Sequence, residues 1–136
     1  MPIIDQGSGA TLVLIPGIQG RWGDLRPAVH TLSRSFRVIT FPLCGERTSH
    51  LPFDPARGLD NYVAQTAEAL DYAGVNDAAI CGISFGGIVA LRFAAAYPER
   101  TRTRASPRSS LAVRSLTGVV TSRARRAGAA RESRRR

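Results

Sequence analysis

Lysine is absent from this 136-residue sequence, in which all 19 basic residues are arginine. The arginines are also unevenly distributed. Residues 1–99 carry 7 arginines against 9 acidic residues, a net charge of −2, whereas residues 100–136 carry 12 arginines against one acid, Glu132, a net charge of +11. The overall charge of +9 therefore comes from the C-terminal segment. The distribution of charge excludes a basic character for the rest of the chain.

Cysteine and long apolar runs are scarce as well. Cys44 and Cys81 are the only two cysteines, too few for a disulfide framework, and they indicate a reducing compartment. The apolar stretch ATLVLIPGI near the start is far too short to span a bilayer, and no basic segment precedes it as in a signal peptide. We therefore predict a cytoplasmic protein with no membrane partner.

What is present, from residue 11 to about residue 98, is an alternation of short apolar runs and helical patterns. The sequence predicts three buried strands, TLVLIP (11–16), FRVITF (36–41) and AAICG (78–82). It predicts three helices, within GDLRPAVHTLSR, LDNYVAQTAEALDYAG and FGGIVALRFAAAY, the first two capped by Asp24 and Asp60. Residues 42–58 are rich in proline and glycine and predict a long loop. This order indicates an α/β fold, a parallel sheet with helices on both faces.

The segment after Pro98 has a different composition. Residues 101–136 have neither helical nor strand periodicity over a useful length, and only LAVRSLTGVV (111–120) has enough apolar content to suggest a strand. Such a composition buries too little apolar surface to offset the entropy of ordering, so we expect a mostly disordered, Arg-rich tail. The tail has no aromatic residue to stack on bases, so any nucleic-acid binding would be nonspecific and salt-dependent.

The strand at 78–82 runs directly into Gly82-Ile83-Ser84-Phe85-Gly86. A strand that turns sharply into a helix strains its middle residue, and glycines two positions before and after remove side chains that would collide there. The hydroxyl is then displayed above a helix N-terminus, which favours developing negative charge. Gly-x-Ser-x-Gly alone also fits a tight turn without chemistry, but the flanking strand and helix favour a nucleophile.

Three segments, taken in order, carry a wider resemblance: LVLIPGIQG, FRVITFPLCGERTS, and the stretch from LDNYVAQ through CGISFGG to AAAYPER. Over roughly residues 8–100 the chain resembles the N-terminal part of the α/β-hydrolase family. Gly45 and Ser49 match that family's second loop, whereas Cys44 replaces its usual arginine and Pro16-Gly17 replaces its frequent His-Gly.

The resemblance implies a set of site residues. Ser84 would be the nucleophile, and the backbone N–H groups of Phe85 and Ile18 would form the oxyanion hole. Trp22 and Phe85 could line a substrate pocket, although ordinary packing explains Trp22 equally well. The resemblance implies a small-molecule substrate, with an ester, thioester, lactone or related acyl bond, and neither cofactor nor metal.

The two cysteines have a separate interpretation. In the family's strand order, the strand at 11–16 separates the strands that carry Cys44 and Cys81. Two strand spacings of about 4.8 Å put their backbones roughly 10 Å apart, beyond disulfide reach. We interpret both as inert small hydrophobic residues rather than as a disulfide or an alternative nucleophile.

A serine nucleophile needs a base, and in this family an acid and then a histidine follow the serine. No histidine follows Ser84, and the only downstream acids are Glu99 and Glu132. His30 is predicted on a helix surface; His50, in the loop after the second strand, is the only stand-in. We therefore expect this chain to be catalytically incomplete.

Two interpretations of the tail stay open. In the first, residues 1–100 are a partial α/β-hydrolase domain whose continuation is replaced through truncation or a frameshift in GC-rich DNA. In the second, the tail is genuine, and a noncatalytic remnant uses its basic arm to bind nucleic acid or an acidic surface. In either case a three-stranded sheet leaves an apolar edge through which the chain would self-associate.

Overall fold

A computed structural model describes residues 1–18 and 22–102 of the chain, with the side chain of Trp22 left out. Its strands are β1 (Ile4–Gln6), β2 (Thr11–Ile15), β3 (Arg37–Thr40) and β4 (Ala79–Gly82). Its helices are α1 (Arg26–Leu32), α2 (Asp60–Tyr72) and α3 (Phe85–Ala96), with 3-10 turns at Trp22–Leu25 and Pro98–Arg100. The predicted tail, apart from its first two residues, lies outside the described residues.

The strands form one sheet in the order β1-β3-β2-β4. β2 lies at its centre and pairs in parallel with β3 on one side and β4 on the other. The predicted parallel α/β arrangement is confirmed, including the position of β2 between the strands adjoining the two cysteines. Both cysteines are free.

Helices cover both faces of the sheet, as predicted. On one face, α2 and α3 pack on alternate strand residues such as Val13 and Ile39 through Leu70, Val89 and Phe93. On the other face, α1 packs on the intervening residues: Leu14 and Val38 contact Leu25 and Val29. All five residues of β2 are buried, which explains why its sequence is a continuous apolar run rather than an alternating one.

The strand β1 was not predicted, and it makes the sheet mixed because it pairs antiparallel with β3. Its three residues, IDQ, are too few to show a period. Pairing places Asp5 opposite Ile39, and the Asp5 carboxylate accepts two hydrogen bonds from Arg37, at 2.6 and 2.9 Å. The strand is thus fixed by a partner 32 residues away rather than by local propensity.

The predicted caps of the first two helices are wrong. Asp24 lies inside the 3-10 turn, and α1 begins after Leu25 without a side-chain cap. Asp60 is the first residue of α2 rather than its cap, and its carboxylate pairs with Arg92 of α3 at 3.3 Å. In both cases the chain enters the helix through an already helical residue, which leaves no extended position for a cap.

After α3 the chain returns to the outer edge of β4. Thr101 pairs in parallel with Ala78, through hydrogen bonds from Ala78 N–H to Arg100 C=O at 3.1 Å and from Arg102 N–H to Ala78 C=O at 2.8 Å. Arg100 donates to Asp71 at 2.7 Å, and Arg102 pairs with Asp77. The residues that pair with the sheet therefore extend to Arg102.

None of the helices in the described part of the chain has the length and hydrophobicity of a membrane-spanning segment.

Candidate active site

Ser84 stands between the end of β4 and the start of α3, with its side chain exposed. Its backbone angles are φ 53° and ψ −117°, a conformation that residues with a Cβ rarely adopt. Such a conformation costs about 1–3 kcal/mol and persists only where the surroundings enforce it. The predicted sharp turn at this serine is therefore present.

Two glycines make the turn sterically feasible. A Cβ at Gly82 would lie 2.0 Å from the carbonyl oxygen of Gly86, in the first turn of α3. A Cβ at Gly86 would lie 2.3 Å from the carbonyl oxygen of Ile15, at the end of β2. Because both obstacles are backbone atoms, neither could move aside for a side chain. The two glycines let α3 begin directly against the ends of β4 and β2.

The loop after β2 lies beside Ser84. Ile83 N–H donates to Ile15 C=O at 3.0 Å, and a Cβ at Gly17 would lie 3.5 Å from the Cβ of Ser84. Ile18, the next residue, is exposed. The structure thus brings the predicted residues Ser84, Phe85 and Ile18 to the same end of the sheet. The side chain of Trp22 lies outside the described residues, so its pocket role stays a prediction.

The N–H groups expected to bind an oxyanion have no competing acceptor. The first turn of α3 uses the N–H groups of Gly86 and Gly87, which donate to Ile83 C=O at 2.9 Å and Ser84 C=O at 2.8 Å. Among the described residues, no acceptor is bonded to the N–H of Phe85 or of Ile18. Helix N-termini favour negative charge, so the turn is suited to hold an anion.

A cavity of about 290 Å³ opens beside this turn. The residues that line it are Ile18, Leu43, Cys44, Gly45, Glu46, Phe53 and Tyr62. Ser84 does not line it, but the ring of Tyr62 packs edge-on against that of Phe85, with centroids 5.1 Å apart. The cavity wall therefore approaches Ser84 through the Tyr62–Phe85 ring contact and through the loop in which Ile18 follows Gly17.

Glu46, Phe53 and Tyr62 were missed by the sequence reasoning. Phe53 and Glu46 lie in the aperiodic loop after β3, where the sequence carries no signal for side-chain direction. Tyr62 is buried in the first turn of α2 and stacks on Phe53 at 5.7 Å. The one available signal was an aromatic residue on the sheet-facing side of α2, three positions before Gln65, which is also buried.

The thiols are poor nucleophiles here. Burial raises the pKa of Cys44 above its ordinary value, and it does the same for Cys81. A raised pKa keeps a thiol protonated at neutral pH, and the thiolate is the reactive form. Their interpretation as small hydrophobic residues is consistent with this protonation.

Neither histidine is bonded to the serine. His30 lies exposed on α1, on the face of the sheet opposite to α3. His50 is also exposed, with φ 55°, and follows the buried Ser49, whose hydroxyl bonds Glu46 C=O and Leu51 N–H within the loop. Ser84 Oγ has no hydrogen-bond partner anywhere in the described ranges.

Known proteins resemble this chain in sequence and in fold. No protein-family model matches the sequence. The chain is 34% identical over 97 residues to RutD of Azorhizobium caulinodans, which is named as a carbamate hydrolase; the match covers 71% of this chain and 36% of that protein. It is 33% identical over 102 residues to the 2-hydroxy-6-oxo-2,4-heptadienoate hydrolase of Pseudomonas putida, covering 72% and 37%.

Among solved structures, the epoxide hydrolase of Bacillus megaterium superimposes with a TM-score of 0.65 at 20% identity, over 74% of this chain and 36% of that one. At that identity the likeness concerns the fold alone. The chain spans little more than a third of the length of the relatives that it matches.

Proposed function

The described residues have the fold of the N-terminal part of the α/β-hydrolase family, and we propose that this chain carries the nucleophile and the oxyanion hole of a serine hydrolase. The observation that supports this most directly is the backbone of Ser84. A strained, exposed serine at a helix N-terminus, flanked by two glycines that no other residue could replace, lowers the stability of the fold. A catalytic role for the hydroxyl explains why this strain is present.

The proposed chemistry is acyl transfer. Ser84 Oγ attacks the carbonyl carbon of an ester, thioester, lactone or related acyl bond, and the carbonyl oxygen becomes an oxyanion. The free N–H groups of Phe85 and Ile18 donate to that oxyanion. Removing one such donor typically costs about 2.7–4 kcal/mol of transition-state stabilisation. The names of the relatives, a carbamate hydrolase and a hydrolase of a dienoate, fit small acyl or related substrates.

The proton of Ser84 has no acceptor in this mechanism. The printed sequence has no histidine after Ser84, and Ser84 Oγ is unbonded in the described part of the chain. We therefore propose that the chain is catalytically incomplete by itself, with the serine in place and its base missing. We also propose that residues 1–100 are a partial α/β-hydrolase domain and that residues 101–136 are an Arg-rich tail. The alternative function, a basic arm that binds nucleic acid, depends on residues 103–136, outside the described ones.

Chemical rescue tests the proposal. Without additives, p-nitrophenyl acetate should be hydrolysed at the background rate. Added imidazole should act as the missing base and give an acetylated protein, detected by intact mass and mapped to Ser84. Ser84→Ala measured in the same imidazole removes the contribution of free imidazole, and Ser35→Ala, an exposed serine after α1, is the matched control.

Two outcomes would contradict this reading. Equal acetylation of the wild-type protein and Ser84→Ala would exclude Ser84 as the nucleophile. Turnover without imidazole that disappears in both Ser84→Ala and His50→Ala would make the chain complete and His50 its base.

A further inference from the structure

The described lining of the cavity beside the serine turn includes one carboxylic acid, Glu46. Three of its lining residues titrate, Cys44, Glu46 and Tyr62. Burial raises the pKa of the Cys44 thiol and of the Tyr62 phenol above their ordinary values, so both are neutral at pH 7. Among the described residues that line the cavity, Glu46 is the only aspartate, glutamate, lysine or arginine, and its ionised carboxylate is negative.

The Glu46 carboxylate has no partner among the described residues. The backbone N–H of Glu46 donates to Leu43 C=O at 3.0 Å, and the backbone C=O of Glu46 accepts from Ser49 Oγ at 2.8 Å. No hydrogen bond or ion pair from a described residue reaches the carboxylate. Burial raises the pKa of this group, and its charge in turn contributes to the raised pKa of Tyr62. A partly desolvated carboxylate without a cation is unfavourable in the free protein and is suited to receive one from a ligand.

Two aromatic rings complete the surroundings. Phe53 and Tyr62 lie 5.7 Å apart at 32°, and both line the cavity. Aromatic faces attract cations, and most strongly those that are large and weakly hydrated, such as quaternary ammonium groups. A carboxylate beside two rings selects a cation over a neutral group of equal size.

We propose that this cavity binds the alkylammonium group of a cationic substrate, with Glu46 as the residue that determines specificity. The inference rests on the proposed function and deepens it. With the ammonium group in the cavity, the acyl end of the substrate would lie past Ile18 and Phe85, near Ser84. The cavity volume of about 290 Å³ accommodates a trimethylammonium group with a short alkyl chain.

A pair of isosteric esters tests the proposal by binding alone. Acetylcholine and 3,3-dimethylbutyl acetate have the same shape and differ in the charge of the quaternary centre. Chemical-shift changes of the full chain carrying Ser84→Ala, which prevents turnover, give both dissociation constants. We expect the cationic ester to bind about tenfold more tightly than the neutral one.

The substitution Glu46→Gln keeps the shape of the side chain and removes its charge. It should reduce the preference for the cation to less than about twofold while leaving the affinity for the neutral ester unchanged. Glu68→Gln is the matched control. Glu68 lines a neighbouring cavity, and its substitution removes the same charge from the same part of the molecule. Thermal unfolding confirms that each variant is folded, and Phe53→Leu should weaken cation binding independently.

Equal binding of the two esters, a preference that survives Glu46→Gln, or no binding of either ester at millimolar concentration would each overturn the inference. None of these results bears on Ser84, because acetylation in imidazole is measured separately. Conversely, failure of the imidazole rescue would remove the nucleophile and leave the binding preference intact.

Discussion

Two exposed residues in the described ranges, Ser84 and His50, share a backbone feature: each has a positive φ without being glycine, at 53° and 55°. Their surroundings differ. The backbone of Ser84 lies between Gly82 and Gly86, which pack directly against main-chain atoms of α3 and β2. His50 lies in a loop closed by the hydroxyl of its neighbour Ser49.

The difference bears on function. Histidine is among the residues enriched at positive φ, so the conformation of His50 is an ordinary feature of a turn. Serine at ψ −117° is a rarer conformation, and the sheet and helix impose it together. A shared outlier therefore supports a functional role at Ser84 and does not support one at His50.

The largest expected effect comes from filling the space that the serine turn depends on. Gly86→Ala places a Cβ 2.3 Å from Ile15 C=O, so β2 and α3 must separate. We expect the free energy of unfolding to fall by more than about 3 kcal/mol in urea titrations. Gly23→Ala, where no atom of the described residues lies within 4 Å of the new Cβ, should change it by less than about 1 kcal/mol. Comparable values for the two variants would refute the steric argument.

The next effect concerns the other region. Ser49→Ala removes the hydroxyl that bonds Glu46 C=O and Leu51 N–H. Glu46 C=O keeps its bond from Ser49 N–H at 3.1 Å, whereas Leu51 N–H loses its acceptor in a mostly buried setting. The expected loss in unfolding free energy is about 2 kcal/mol. Proton exchange at the amide of Leu51 should accelerate, and an unchanged exchange rate would show that water replaces the hydroxyl at no cost.

Replacing each outlier with glycine compares the two strains directly. Ser84→Gly relieves a strain of about 1–3 kcal/mol but gives back about 0.5–1 kcal/mol in chain entropy. We expect a net gain of about 1 kcal/mol in stability. His50→Gly should gain less, because histidine tolerates this region. A greater gain at His50 would reverse the comparison of the two sites.

The smallest effect is the pH dependence contributed by Glu46. Burial raises its pKa in the folded state, so the folded protein binds the proton more tightly than the unfolded chain does. The ionised carboxylate therefore destabilises the fold at a pH above its folded-state pKa. This destabilisation disappears as the pH falls below the pKa of the unfolded chain, near 4.5. Glu46→Gln should therefore be slightly stabilising at pH 7 and neutral at pH 3, measured by thermal unfolding. A stabilisation that does not depend on pH would exclude this cause.

The sequence predicted what depends on periodicity and local sterics. The buried strands β2, β3 and β4, the helices on both faces and the turn at Ser84 follow from apolar runs and from Gly82 and Gly86. It did not predict β1, whose three residues are held by the distant Arg37. It also missed the cavity, because Tyr62 meets Phe85 only after α2 and α3 pack together. Contacts between residues far apart in the chain leave no local pattern to detect.

The closeness of Gly86 to Ile15 also has a consequence for folding. These residues are 71 positions apart, and β2 must pair with β4 before α3 can rest on it. Contacts of such sequence separation form late, because a long loop must close first. We therefore expect the reactive conformation of Ser84 to appear at the end of folding, after the helices have formed. The conformation of Ser84 would then form only when the sheet is complete, and a collapsed chain without the native sheet would lack it.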